Sequence, residues 1–290
     1  MYERVLFVAL IFLIAYVLKL SKVFKEEDSK PFINYVIYFS LPSLVLSKIR
    51  DIEFTGEVLG VVVYAWLIIV ASVVLSFLVG KFLRMEEKTL KTFVLVSSFG
   101  NTAFLGYPFA FALFGDEGLR FAVLYDQLGS FLLVVSLGFL VATGKFSFKE
   151  VLLFPPFLAL FIALLTRGFE LPPAFNLFLE VSGKSLIPVV LFAIGLRFSP
   201  SHLFDSLRYA TLSILVKMVV VPLVVLALFK TLGLTALSHR VVLLESAMPP
   251  MVMAGVLAIK YGLNEKLAVS VISLGILLSF ITVPFLISFL

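Results

Sequence analysis

Two short segments of this sequence combine residues that interrupt helices with residues that can bind a ligand. They are residues 97–108, with Gly100, Asn101 and Pro108, and residues 245–251, with Pro249 and Pro250. Proline removes a backbone donor and clashes with the preceding helical turn, so each segment is expected to end one helix and begin another. The N-terminus of a helix carries free N–H groups and a positive dipole end that favour an anion. The segments therefore predict an anion-binding site at these five residues, with Asn101 adding a side-chain donor; the alternative is that the prolines only kink two helices.

Charged side chains stand elsewhere within long apolar runs. Lys217, Asp126 and Glu245 have no charged residue three or four positions away, unlike Lys184, which follows Glu180 by four. Such groups inside a membrane are functional candidates. Lys217 is expected either to reach the anion site, where it offsets a carboxylate or pairs with Glu245, or to form a permanent structural ion pair.

Asp126 and its neighbour Gln127 are candidates, together with Glu245, for binding a coupling ion, either a proton or Na⁺. The alternative for Asp126 is a hydrogen-bonded side chain with no part in transport. Ser43, beside Pro42, is a candidate wall of the anion site.

The composition indicates a protein embedded in a lipid bilayer. Of the 290 residues, 61% are hydrophobic and 14% are charged, whereas soluble domains have about 45–50% and roughly 25%. The net charge of +5 is attributed to basic cytoplasmic loops and not to a nucleic-acid partner. With no cysteine and only two histidines, His202 and His239, a metal site is not expected. The sequence contains no complete enzyme motif, so we expect no catalytic residue and no cofactor.

The apolar runs predict an all-α protein with ten transmembrane helices, since about 20 apolar residues span a bilayer. The predicted spans are residues 3–20, 32–49, 57–82, 89–114, 119–141, 151–167, 174–197, 206–230, 238–261 and 266–289. Lys and Arg are concentrated in the loops after spans 1, 3, 5, 7 and 9. By the positive-inside rule these loops face the cytoplasm, so both termini of this multi-pass protein are expected outside the cytoplasmic membrane.

The landmarks recur in the same order in the two halves, residues 1–145 and 146–290. Leu41-Pro42 corresponds to Ile187-Pro188, Thr89 and Ser238 are expected N-caps of spans 4 and 9, and Phe114-Gly115 and Tyr261-Gly262 close those spans. Because each half has five spans, the second must enter the membrane the opposite way round. Such an inverted-topology repeat is typical of secondary transporters.

The stretch from Gly100 to Pro108 (GNTAFLGYP) resembles the span 4 motif of the auxin efflux carrier family. The stretch from Glu245 to Pro250 (ESAMPP), followed by Leu257-Ala258 and Tyr261-Gly262, resembles its span 9 motif, and Lys217 with Pro222 is similar to its span 8. The family includes the plant PIN-type auxin exporters and prokaryotic carriers of malonate-like acids.

The resemblance, which extends over the whole chain, implies that broken helices 4 and 9 cross at the substrate site. It implies that a transport part, spans 3–5 and 8–10, moves like an elevator against a scaffold of spans 1, 2, 6 and 7. It also implies a homodimer and a contact of Asn101 with the anion. The sequence lacks the long loop between spans 5 and 6 of the plant branch, which argues against auxin itself.

These features together predict a secondary transporter for a small organic anion, a carboxylate of the auxin-like or malonate-like kind. The alternative is a membrane-embedded receptor or scaffold that binds a ligand without moving it.

Overall fold

The computed structural model describes residues 2–50, 52–53, 55–145, 155–198 and 206–289. Within these ranges the protein is all-α, as predicted, and contains no β-strand. The start of predicted span 6 and the expected boundary between the halves fall partly outside these ranges, and His202 lies outside them.

Eleven helices are described. They are α1 (Tyr2–Leu20), α2 (Glu26–Ile49), α3 (Gly56–Phe82), α4 (Glu87–Ser98), α5 (Thr102–Thr143), α6 (Pro155–Leu165), α7 (Pro173–Arg197), α8 (Leu207–Thr231), α9 (Leu237–Ser246), α10 (Val252–Lys260) and α11 (Glu265–Ile287). Among the described residues, the six helices α2, α3, α5, α7, α8 and α11 are long and apolar enough to cross a membrane. Their outer surfaces carry large exposed apolar side chains, such as Leu67 at 62% and Leu78 at 59%, which suit contact with lipid.

The ten predicted intervals can be compared one by one with the described helices. Each interval contains helix, but α1 and α6 are shorter apolar helices, and predicted spans 4 and 9 are each divided between two helices, α4 and α5 for span 4 and α9 and α10 for span 9. The 42-residue α5 is bent at Gly115, whose φ of 71° is outside the helical region. Gly262 ends α10 with a φ of 64°. Both glycines therefore end helices, as expected, since only glycine adopts this conformation readily.

The predicted N-caps at Thr89 and Ser238 are wrong. Helix α4 begins at Glu87 and α9 begins at Leu237, so both side chains lie inside their helices. Thr89 Oγ1 instead accepts a hydrogen bond of 3.0 Å from Asn264 Nδ2. Asn264 is itself the N-cap of α11, because its Oδ1 accepts from the Leu267 N–H.

The helices pack in two groups with a boundary between them. In one group α1 packs on α7, and α2 packs on α6 and α7. In the other, α3, α8 and α11 pack around α4, α5, α9 and α10, which contain the two breaks. Helix α5 belongs to the second group but also touches α1, α2 and α6 of the first. The boundary between the two groups therefore follows α5.

Candidate functional site

The two divided helices meet at their breaks. Helix α4 ends at Ser98 and α5 begins at Thr102, and between them Phe99 has an extended backbone (φ −96°, ψ 121°). Helix α9 ends at Ser246 and α10 begins at Val252, after the two prolines.

The breaks are joined to each other by two backbone hydrogen bonds. The Asn101 N–H donates to the Pro249 carbonyl at 2.7 Å, and the Met251 N–H donates to the Phe99 carbonyl at 2.8 Å. Gly100 and Pro250 are therefore paired as in an antiparallel sheet. Unpaired backbone groups are costly in lipid, so each break satisfies the other. The prolines supply carbonyls without adding N–H groups that would need partners.

Close packing holds the crossing in place. A Cβ on Gly275 of α11 would lie 2.5 Å from Pro250 Cδ and 3.2 Å from Pro249 Cβ, closer than side chains pack. A Cβ on Gly100 would lie 3.2 Å from Lys217 Nζ. Glycine at these two positions lets α11 and the lysine approach the crossing directly.

A cavity of about 210 Å³ lies beside the crossing. Its lining residues come from both sides of the boundary between the helix groups: Ile33, Ile37, Leu41, Asn101, Ala103, Phe104, Asp126, Gln127, Phe131, Arg197, Met251, Val252, Met253 and Val256. The first turns of α5 and α10 thus both reach this cavity. Of the predicted site residues, Asn101, Asp126 and Gln127 line it.

Polar groups at the inner end of the cavity form one network. The Asp126 carboxylate accepts hydrogen bonds from the hydroxyls of Thr102 and Tyr107 (2.8 Å) and from Gln127 Nε2 (2.7 Å). These bonds tie the start of α5 to its second half. By contrast, Asn101 Nδ2 and Gln127 Oε1 are buried without a partner. A buried donor and acceptor left unpaired are costly, which makes them ready to bind a ligand or water.

Arg197 is a cavity residue that sequence reasoning missed. It is the last residue of α7, and in the sequence it is only one of the basic residues near the end of span 7. It also lines a neighbouring cavity of about 340 Å³, which shares Ile33, Phe104, Val252 and Val256 with the first and has Glu26 and Glu265 in its wall. The second cavity is thus a vestibule to the first.

Lys217 and Glu245 lie at the crossing but outside the lining of the cavity. The Lys217 ammonium donates a 2.6 Å hydrogen bond to the carbonyl of Ser246, the last residue of α9. A cation there complements the negative end of the helix. Both carboxylate oxygens of Glu245 are buried without a hydrogen-bond partner, and a Cβ on Gly106 would lie 2.6 Å from its Oε1.

The remaining predicted residues are placed differently. Gly100, Pro249 and Pro250 form the crossing itself but do not line the cavity. Pro108 is buried in α5, six residues after Thr102, where that helix begins. Ser43 is buried in α2, and its hydroxyl donates to the Phe39 carbonyl at 2.8 Å.

No cluster of three or more His, Asp or Glu side chains that could hold a metal ion occurs within the described part of the chain. The described residues that line the cavity offer a ligand amide hydrogen bonds, two helix N-termini, a guanidinium, the Asp126 carboxyl group and an apolar wall.

Comparison with known proteins identifies a family and several relatives of this chain. The profile of the family described as membrane transport protein matches residues 1–151 and again residues 138–287. An uncharacterized transporter of Methanocaldococcus jannaschii is 32% identical over 284 residues, covering 92% of each chain. An uncharacterized transporter of Methanothermobacter thermautotrophicus is 27% identical, covering 97% of this chain and 96% of its own. The uncharacterized transporter YfdV of Escherichia coli is 22% identical, covering 96% and 93%. The chain therefore belongs to this family of membrane transport proteins, the auxin efflux carrier family.

Proposed function

We propose that this membrane transporter is a secondary carrier of a small organic anion that binds in the cavity beside the crossing. One observation carries the proposal: two helix N-termini and the unpartnered Asn101 amide reach the same cavity. The first N–H groups of a helix have no partner within the helix. The backbone N–H groups of Asn101 and Met251 are hydrogen-bonded within the crossing. The first turns of α5 and α10, which follow them, still direct N–H groups and positive dipole ends toward an anion.

The wall of the cavity favours an anion with an apolar body over a compact dianion. Among the described residues, Arg197 is the single basic side chain that lines it, and Asp126 already places one carboxyl group there. The scaffold side is apolar, with Ile33, Ile37 and Leu41 spaced four residues apart on one face of α2. A carboxylate with a hydrocarbon or aromatic portion fits this pattern better than a malonate-like acid does.

Alternating access is proposed to occur by movement of the crossing group against the scaffold. Helices α1, α2, α6 and α7 correspond to the proposed scaffold, and the remaining helices to the proposed transport part; the cavity lies between them. The vestibule is lined by Glu26, Arg197 and Glu265, which adjoin the basic loops after spans 1, 7 and 9. This conformation is therefore interpreted as open toward the cytoplasm, with the termini outside and the halves 1–145 and 146–290 as an inverted repeat. The protein is further proposed to assemble as a homodimer in the cytoplasmic membrane.

Among the candidates for the coupling ion, Glu245 is favoured over Asp126 and Gln127. Asp126 accepts three hydrogen bonds and serves to anchor the start of α5. Neither Glu245 oxygen accepts a hydrogen bond, so Glu245, unlike Asp126, keeps both oxygens available to a proton or a cation, with Lys217 as its electrostatic neighbour. Flux measured under separately imposed pH and Na⁺ gradients, with Glu245→Gln as the comparison, decides between these ions.

Uptake into proteoliposomes tests the proposed function. A panel of labelled monocarboxylates and dicarboxylates should include at least one acid that is taken up specifically and whose uptake Asn101→Ala weakens. Absence of flux for every acid, with folded protein, contradicts a carrier. Saturable binding without flux identifies the receptor or scaffold instead.

A further inference from the structure

Arg197 is a basic residue of the scaffold group that reaches the cavity. It ends α7 in the scaffold group, faces the crossing from the opposite side of the boundary, and lines both the cavity and its vestibule. Among the described residues lining the cavity, it is the only one with a positive charge.

The guanidinium is free to bind. The ion pairs of the described residues join Lys48 to Asp116, Lys91 to Glu87 and Lys184 to Glu180, and Arg197 takes part in none of them. Glu26 and Glu265 line the same vestibule, but neither lies within 4 Å of its nitrogens in a salt bridge. Arg197 is an exposed residue at the end of α7, so its charge is solvated and is accessible to a ligand that enters the vestibule.

The chemistry of arginine indicates what it would bind. Its planar fork of N–H donors matches the two oxygens of a carboxylate, and it stays charged at every physiological pH. The low polarity of the adjoining wall strengthens its attraction to an anion relative to water. A neutral amide of the same shape gains neither the charge nor the two parallel hydrogen bonds.

We propose that Arg197 recognises the carboxylate of the transported anion at the mouth of the cavity and so selects acids over their neutral analogues. The proposal rests on the proposed function and assigns a specificity-determining role to a scaffold residue. The carboxylate then lies between Arg197 of the scaffold and the Asn101 amide of the crossing, both of which line the cavity.

The test compares Arg197→Gln, Arg197→Lys and wild-type protein in proteoliposomes. A panel of acetate, butyrate, phenylacetate, indole-3-acetate, malonate and succinate first identifies the acid with the largest specific flux in wild type. Half-saturating concentrations for that acid are then measured, together with competition by its primary amide. Arg208→Gln is the matched control, because Arg208 is exposed on α8, stacks on Tyr209 at 5.7 Å and lines neither cavity. Thermal unfolding midpoints show that each variant is folded.

We expect Arg197→Gln to raise the half-saturating concentration at least about tenfold, equivalent to about 1.4 kcal/mol, with Arg197→Lys intermediate and Arg208→Gln unchanged. Competition by the amide should be unaffected. An Arg197→Gln variant that keeps the wild-type half-saturating concentration overturns the proposal for Arg197 alone, as does an equal loss for acid and amide. No flux of any acid in wild type instead contradicts the proposed function, and this inference with it.

Discussion

The contact between Gly275 and the prolines of the crossing can be tested by adding one methyl group. In Gly275→Ala the new Cβ would lie 2.5 Å from Pro250 Cδ. Ordinary contact begins near 3.4 Å, so α11 and the crossing must separate by about 0.9 Å. A proline ring whose backbone is fixed by two hydrogen bonds cannot rotate away as a flexible side chain can. Overpacking of this kind costs about 1–3 kcal/mol.

Gly60→Ala provides the matched control, since Gly60 is also inside a helix but a Cβ there meets only Tyr64 at 3.8 Å. Both substitutions gain about 1 kcal/mol of helix propensity. The difference between them therefore isolates the packing cost. At roughly 2 °C per kcal/mol, Gly275→Ala should unfold about 2–6 °C below Gly60→Ala.

The assay is thermal unfolding in detergent at one fixed scan rate, because membrane proteins often unfold irreversibly and the midpoint then depends on rate. Flux should fall in Gly275→Ala and persist in Gly60→Ala. If Gly275→Ala is as stable as the control, then α11 does not press on the prolines and the described packing of the crossing is refuted.

Three further substitutions have expected results. Asn101→Ala should weaken carboxylate binding about tenfold with little change in the unfolding midpoint. The control Asn176→Ala removes an exposed amide and should change neither quantity. Equal effects of the two substitutions on a ligand-dependent thermal shift would contradict this prediction. Lys217→Met should lower the free energy of unfolding by about 1–3 kcal/mol, because it leaves the Ser246 carbonyl unpaired, and it should nearly preserve the affinity for the anion. A loss of that affinity at unchanged stability would show that the ammonium contacts the substrate instead. Asp126→Asn should also destabilise, since an amide offers one acceptor oxygen to three donors; a midpoint equal to wild type would show that this network does not anchor α5.

The parts of this architecture that could be predicted are those encoded locally. Apolar runs identify membrane helices, and a double proline or a Gly-Asn pair interrupts a helix wherever it stands. Asn101 could be predicted as a site residue because it lies within such an interruption, and the structure gives its amide nitrogen no partner. Gly115 and Gly262 could be recognised as helix ends because only glycine suits their positive φ.

The parts that could not be predicted depend on how distant helices are rotated against one another. Ser43 was favoured as a wall residue because it adjoins a proline, but the face of α2 toward the cavity carries Leu41. Two residues along a helix amount to about 200°, so the serine points away. Lys217 has no partner visible in sequence because it binds a backbone carbonyl. Arg197 becomes a cavity residue only when α7 packs beside the crossing.

Cysteine labelling tests most directly whether the anion occupies the cavity at the crossing. The natural chain has no cysteine, so Ala103→Cys introduces one thiol at the start of α5, in the wall of the cavity; Ala236→Cys, exposed before α9, is the control. We expect the thiol at position 103 to react with an anionic methanethiosulfonate reagent and to be protected by the acid with the largest flux, while the thiol at 236 reacts equally with and without that acid. Reaction at position 103 that a transported acid leaves unchanged would contradict the account.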